Sequence, residues 1–387
     1  MAYQPQIVII GAGIVGLSTA YALLEQGMHK VRVLEQAVVS HAKSTSASIS
    51  RLLRFEYGAD AFYSRMVQLS LKLWRDLEQK TQRTLYTPTG LLSLGREGEE
   101  IERARDIALG LGLSSEYLTE QAGRQRFPQF EFKNYNVLTY NTEGGILHAS
   151  ACLQALKRAI LDLGGEIIEN HRVTQIAHEN PGRPIHLRLC SGEEIAADRV
   201  VVAVGPWIHR LFSGLRLPIT LTRQYVLYFS GLTPASFGVG VFPAFIEKDL
   251  YGFPVHKGSH RWLKVASHEF GRPVDPDGAV LIEDAVIAST ACRARALLPA
   301  LREAELAHVE ACIYDVSPDE NFILDYLPGD QRITLATGLS GHGFKFGPLL
   351  GHLLSNLVRE VQPEVPLGRF RLARFSYQHE QQTISVA

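Results

Sequence analysis

The sequence predicts an α/β fold in which a Rossmann-like domain is interleaved along the chain with an antiparallel-sheet α+β domain. Three observations carry this. Residues 7–36 read strand, glycine turn, helix, strand, the βαβ unit on which doubly wound parallel sheets are built. The run VVVAV (200–204) is apolar throughout, as is usual for a strand buried on both faces of a parallel sheet. Residues 218–270 instead alternate, most clearly in RQYVLYFS and RWLKVASHEF, as strands with one buried face do. At 387 residues the chain exceeds the size at which one core keeps growing, so two domains are expected. We place the first in residues 1–85, 148–217 and 320–387, and the second in 86–147 and 218–319.

In chain order, IVII (7–10) is a buried strand, GAGIVG (11–16) a tight turn, and LSTAYALLEQ a helix closed by Gly27. KVRVLEQ (30–36) is the second strand. Residues 41–57 begin small and polar and end basic and aromatic, and their first half is expected to be a loop. Over 61–80, Met66, Leu69, Leu73, Trp74 and Leu77 have the spacing of an amphipathic helix. TLYTPTGLLSLG alternates as strands around a proline turn. A helix follows at about 98–111, then an irregular stretch at 121–132 and a glycine break at EGGIL. Residues 149–163 are helical, and GGEIIEN and HRVTQIAHE alternate as strands. Beyond the antiparallel region a helix-rich part spans 277–309. The chain then runs strand (RITLATG), glycine loop (LSGHGFKFG) and helix (PLLGHLLSNLVREV).

Composition narrows the partners. Lys+Arg at 39 against Asp+Glu at 40 gives a net charge of -1, which offers no electrostatic reason to bind nucleic acid or an anionic membrane. A small molecule is the default partner. The longest apolar runs are strand-length, short of the roughly 20 residues of a membrane helix. MAYQPQIVIIGAG lacks a basic segment followed by an apolar leader, and TISVA matches no retention or peroxisomal tail, so the expectation is a soluble, cytoplasmic protein. Cys152, Cys190, Cys292 and Cys312 form no CxxC pair and read as free thiols.

Gly11, Gly13 and Gly16 form G-x-G-x-x-G between the first strand and its helix. The first glycine permits the turn, the second lets a pyrophosphate approach the backbone, and the third lets helix pack on strand. Glu35 ends the next strand, 19 residues after Gly16, where a carboxylate accepts ribose hydroxyls. The motif predicts a dinucleotide without separating NAD from FAD. Lys345, between two phenylalanines in a run of glycines, is on its own either a snorkelling surface lysine or an anion ligand. Arg51 and Arg54 have a spacing that also suits a solvated helix face. Lys264 and His268 are four apart and share a face if RWLKVASHEF is a strand.

Taken together, GAGIVG with Glu35, SxSRLLRFEYG (48–58), YGFP (251–254), LKVASH (263–268), CIYDVSPDENFILD (312–325) and SGHGFKFG (340–347) resemble the monomeric sarcosine oxidase and N-methyltryptophan oxidase family. That group belongs to the D-amino acid oxidase superfamily of flavoproteins. The resemblance implies FAD, with Ile14, Ser50, Gly341, Gly343 and Phe344 joining the motif glycines and Glu35 around it. It implies that Arg54 and Lys345 bind the substrate carboxylate, with Lys345 also beside the cofactor. Arg51 lies by the flavin ring, Lys264 near its N5 promotes reaction with oxygen, and Cys312 carries FAD covalently. Tyr251 and Tyr314 wall the substrate pocket, and His268 and His342 stand beside it. The sequence departs from the family at Ala47, where a histidine tied to flavin attachment is usual, and in the turn HKGSHR (256–261), which is longer.

The implied reaction is oxidation of a secondary or N-methyl amino acid. Hydride passes to flavin N5, O2 is reduced to H2O2 and the imine hydrolyses, in a chain that acts as a monomer. Two alternatives stand beside it: a dehydrogenase of amino or 2-hydroxy acids that passes electrons to a carrier, and a flavin-bearing subunit of a heteromeric complex.

Overall fold

The computed structural model describes residues 4–98, 100–178, 182–212 and 214–375. Two sheets organise it. A six-stranded sheet has the order Ile323–Leu327, Asp330–Thr337, Arg199–Val202, Ile7–Ile10, Val31–Leu34, Glu166–Ile168. It is parallel except for the outer hairpin formed by its first two strands. Ile7–Ile10 is buried at all four positions, as its central place demands. The helix Ile14–Glu25 returns from this strand and packs against Gly347–Val358. The crossing is close, since a Cβ on Gly351 would meet the Ser18 backbone at 2.4 Å.

The second sheet has eight strands, ordered Glu305–Val316, Thr220–Ser230, Leu263–Ser267, Leu250–Phe253, Ala244–Glu247, Leu91–Gly95, Val137–Asn141, Glu116–Leu118. One face packs on an aromatic core with Phe130, Phe132, Phe242 and Phe245. A small sheet of Arg51–Leu53, Gly145–Leu147 and Tyr86–Thr87 joins segments of both halves.

The helix Ala61–Thr81 starts at Asp60, whose carboxylate accepts from Phe62 N at 3.1 Å, an N-cap that satisfies an orphan donor. Its buried side includes Met66, Val67, Leu71, Trp74 and Leu77, whereas Leu69, expected in the stripe, is exposed. Two further expectations are corrected. The stretch 121–132 is not wholly irregular, because Glu120–Arg126 is a helix capped by the Thr119 hydroxyl. The helix-rich part ends earlier than 309: after Asp284–Leu297 and the turn Pro299–Arg302, the strand Glu305–Val316 begins. Eleven residues of that strand pair with Thr220–Ser230, and this ladder outweighs the local helix propensity of its alanines and glutamates.

Candidate active site

A long cleft follows the carboxyl ends of the parallel strands. Its first part is bordered by Gly11, Gly13, Ile14 and Glu35 on one side and by His171, Trp207 and Arg210 on the other. Gly11 has φ +102°, and a Cβ there would strike Ala203 O at 2.5 Å. Only glycine fits this turn. The third motif glycine, Gly16, lies beneath the cleft, where a Cβ would overlap Gly11 O at 1.9 Å. At the N-terminus of the helix Ile14–Glu25, Ile14 N donates to Ser46 Oγ at 2.9 Å. No acidic residue occupies its first turn, so the helix end favours an anion. The buried Glu35 carboxylate accepts from Ala12 N at 2.7 Å and Ala37 N at 3.0 Å.

The second part of the cleft opens onto the other face of the eight-stranded sheet. Ile14, Thr45, Ser46, Asp315 and Leu339 border both parts, so the two are continuous. Strand period places Glu310, Cys312 and Tyr314 on one face. In the ladder Lys264 stands opposite Tyr228 and Phe253, and Tyr251 opposite Ala266. Segment 44–51 and the glycine loop close the cavity from the other side. Lys264, Arg51, Arg54, Lys345, His268, His342, Tyr251, Tyr314, Cys312, Ser50, Gly341, Gly343 and Phe344 all line it. His268 falls one residue beyond the strand Leu263–Ser267 yet still faces the cavity.

Four cations define the electrostatics. Lys345 is buried, and its ammonium donates to His342 O at 2.9 Å. Burial, with the nearby Arg54 charge, holds its pKa well below the usual lysine value. Arg54 Cζ lies 4.5 Å and Lys345 Nζ 5.3 Å from the Tyr57 ring centroid. Neither has a carboxylate in ion-pair contact among the described residues. Arg51 donates to Thr45 O at 2.8 Å and Ala47 O at 3.0 Å. Lys264, also buried, donates to Ser48 Oγ at 2.9 Å and Ser50 O at 2.7 Å, leaving one N–H without a partner among the described residues. Burial and the Arg51 charge lower its pKa to about 7.

The Cys312 thiol is pushed up by burial and drawn down by Arg51 and Lys264. Burial raises the phenols of Tyr251 and Tyr314, which lie close together. Burial and the Arg54 and Lys345 charges bring His268 to about 4. His342 Nε2 contacts Glu320 O at 3.1 Å, and a carbonyl only accepts, so Nε2 carries the proton. Nδ1 then accepts from the Tyr57 hydroxyl at 3.2 Å. Both ring nitrogens of His342 are thus held by protein groups, Tyr57 and Glu320, while the residue borders the cavity. In the glycine loop a Cβ on Gly341 would strike the Tyr314 ring at 2.2 Å, and one on Gly343 the Leu339 side chain at 2.7 Å. The close neighbour that requires glycine is thus the protein itself.

Residues 6–357 match the family described as FAD dependent oxidoreductase (DAO). The chain belongs to the FAD dependent oxidoreductase family. It is 34% identical over 382 residues to the peroxisomal sarcosine oxidase of Mus musculus, covering 95% of this chain and 96% of that protein. To the monomeric sarcosine oxidase of Bacillus sp. (strain B-0618) it is 28% identical over 380 residues, 95% of each. The crystal structure of L-proline dehydrogenase from P. horikoshii shares the fold, with TM-score 0.85 and 20% identity over 98% of this chain and 99% of that one.

The cleft of this FAD dependent oxidoreductase fits the cofactor on its own evidence. It is continuous from Glu35 to Lys345, its glycine turn meets a helix N-terminus, and the Ser50 hydroxyl is buried in its wall without a hydrogen-bond partner among the described residues. Several neighbours escaped the sequence reading. Tyr57 lies under both carboxylate-binding candidates, and Ser46 caps the dinucleotide helix. Asp315 borders both parts of the cleft and accepts from Gly338 N at 2.8 Å, with burial raising its carboxyl to about 6. Tyr57 and Asp315 fall inside stretches quoted for the resemblance, but neither their type nor their spacing marks them. Among the described residues, no helix is long and apolar enough to cross a membrane.

Proposed function

We propose that this chain is an FAD-dependent oxidase of a secondary or N-methyl amino acid that yields an imine and hydrogen peroxide. One observation carries the reading: the half-buried Arg54 and the buried Lys345 both lie over the Tyr57 ring, without a carboxylate partner among the described residues. Two like charges held so close in a poorly solvated cavity favour an anion between them. A substrate carboxylate supplies it. Gly11, Gly13, Ile14, Gly16 and Glu35 would hold the adenine-dinucleotide part of FAD, and Ser50, Arg51, Cys312 and the glycine loop its ring system. In domain terms, the six-stranded half binds FAD and the eight-stranded half walls the substrate.

FAD, when bound, takes up the two electrons and hydrogen that leave the carbon beside nitrogen and passes them to O2. The chain's own groups make this possible. Arg54 and Lys345 orient the carboxylate, and Tyr251 and Tyr314 exclude water around the amine. A neutral His268 adds no charge against the departing hydride's carbon. Lys264 presents its remaining N–H and positive charge to oxygen as it becomes negative, and Arg51 adds a second cation. No protein group stands out as a strong base, and an amine desolvated by the pocket is already in its neutral form.

Cys312 is proposed to carry FAD covalently. Arg51 and Lys264 offset part of the burial that disfavours its thiolate, and the Ala47 carbonyl helps to hold Arg51 although no histidine stands there. Acid precipitation tests this: yellow pellets support the bond, a yellow supernatant refutes it. The chain is proposed to act as a monomer. A cytoplasmic location is likewise a proposal, which cell fractionation checks, since the mouse relative's name places that protein in the peroxisome. The oxidase itself is tested by peroxide release against sarcosine, other N-methyl amino acids, pipecolate, proline, glycine and D-amino acids. Peroxide from a secondary amino acid supports it. Anaerobic bleaching without peroxide would instead establish a carrier-linked dehydrogenase.

A further inference from the structure

Lys264 is connected to the molecular surface by groups that the reaction above does not use. Its ammonium donates to Ser48 Oγ at 2.9 Å and lies 5.9 Å from the Tyr228 ring centroid, and the Tyr228 hydroxyl is near enough to Ser48 for that side chain to offset part of the rise burial imposes on the phenol. Tyr228 in turn donates to Glu310 Oε2 at 2.6 Å. Tyr228 stands directly across the ladder from Lys264 and is 1% exposed. Glu310 is half-buried on Glu305–Val316, the outer strand of its sheet. The line of groups therefore runs from the cleft wall to the edge of the fold through hydroxyls that both donate and accept.

We propose that Ser48, Tyr228 and Glu310 form a proton path that reloads Lys264 from solvent while O2 is reduced. This rests on the oxidase reading. Reducing O2 to H2O2 takes two electrons and two protons. The electrons and one proton come from the substrate C–H bond by way of the cofactor, and the remaining proton leaves Lys264 Nζ as a new O–H bond forms. The amine left on Lys264 is reprotonated from the Ser48 hydroxyl, Ser48 from Tyr228, and Tyr228 from the Glu310 carboxyl, which takes its proton from water. Four other groups face this line. Arg51 and Cys312 flank Lys264, the buried His256 feels its charge, and His308 packs on the Tyr228 ring at 5.7 Å. Arg51 opposes charge on Lys264, whereas Glu310 favours it.

The test uses the holoenzyme, reduced anaerobically by substrate and then mixed with O2. Tyr228→Phe keeps the ring and removes the link, and Glu310→Gln removes the terminal acid. In both, anaerobic reduction is expected to be unchanged and the O2 step to slow roughly tenfold or more, less than the roughly hundredfold or more of losing a general acid outright because Lys264 itself remains. Added small carboxylic acids should restore Glu310→Ala. In the resting holoenzyme, the 15N resonance of Lys264 Nζ should titrate at lower pH in Glu310→Gln than in wild type. An O2 step as fast as wild type in either Tyr228→Phe or Glu310→Gln overturns the path. So does an unmoved lysine titration. A wild-type protein that accepts electrons and gives none to O2 fails the oxidase reading itself, and shows this before any substitution is made.

Discussion

Lys345 and Lys264 are both buried, yet their surroundings differ, and the proposed function gives them different work. Lys345 sits with Arg54 over an aromatic ring, so its removal takes away half of an anion clamp. Lys345→Ala should weaken substrate binding by about 2–4 kcal/mol, the range for losing one partner of a desolvated charge pair. Steady-state kinetics should show this chiefly as a raised KM; an unchanged KM would refute the clamp. Lys264 is held on Ser48 and Ser50 with its pKa lowered to about 7. On the proposed function the cation is the form that assists oxygen, and it is lost as pH rises through 7. Rapid-mixing rates for the O2 step should therefore fall above about pH 7, and Lys264→Met should slow that step and abolish the pH dependence while sparing anaerobic reduction. Stability runs the other way. Between the folded value near 7 and the unfolded lysine value of 10.5 the unfolded chain binds more protons, so this residue makes the fold more stable as pH rises through that window.

At the scale of elements, the glycine loop depends on Gly341, at φ +75° with the Tyr314 ring where a Cβ would stand. Gly341→Ala adds backbone strain of about 1 kcal/mol or more and pushes Tyr314 toward the substrate. A lower melting temperature together with a raised KM is expected; a change in melting temperature alone would separate the loop from the pocket. Elements were legible in the sequence where their periodicity was strong, as in the opening βαβ unit. Glu120–Arg126 was not, because a surface helix whose buried residue is Gly123 carries no apolar stripe. The start of Glu305–Val316 was not, because its local composition favours helix and only its long-range ladder makes it a strand. The same limit applies to the site. Glycines and cations announce themselves by type and motif, but Ser48 meets Lys264 across 216 residues, and nothing in the spacing of either foretells that contact.

For the whole molecule, the cleft draws its walls from both sheets, so cofactor binding should couple their stabilities. Cys312→Ser is expected to hold FAD reversibly and to melt in one transition that rises with added FAD. The gain is about 2.7 kcal/mol when free FAD is about a hundred times Kd, which calorimetry reads directly. Two transitions, with one insensitive to FAD, would show that the halves unfold independently.

The interleaving also sets when the site comes into being. The parallel sheet begins at Ile7 but gains its last two strands only with Ile323–Leu327 and Asp330–Thr337, and Lys345 lies later still. During synthesis the glycine turn of 11–16 leaves the ribosome before Arg54, Lys264 follows much later, and Lys345, the second half of the proposed clamp, comes after both. A chain stalled before Asp330–Thr337 thus has neither the complete parallel sheet nor the glycine loop that borders the cleft, and on the proposed function its redox chemistry is withheld until those segments have been made.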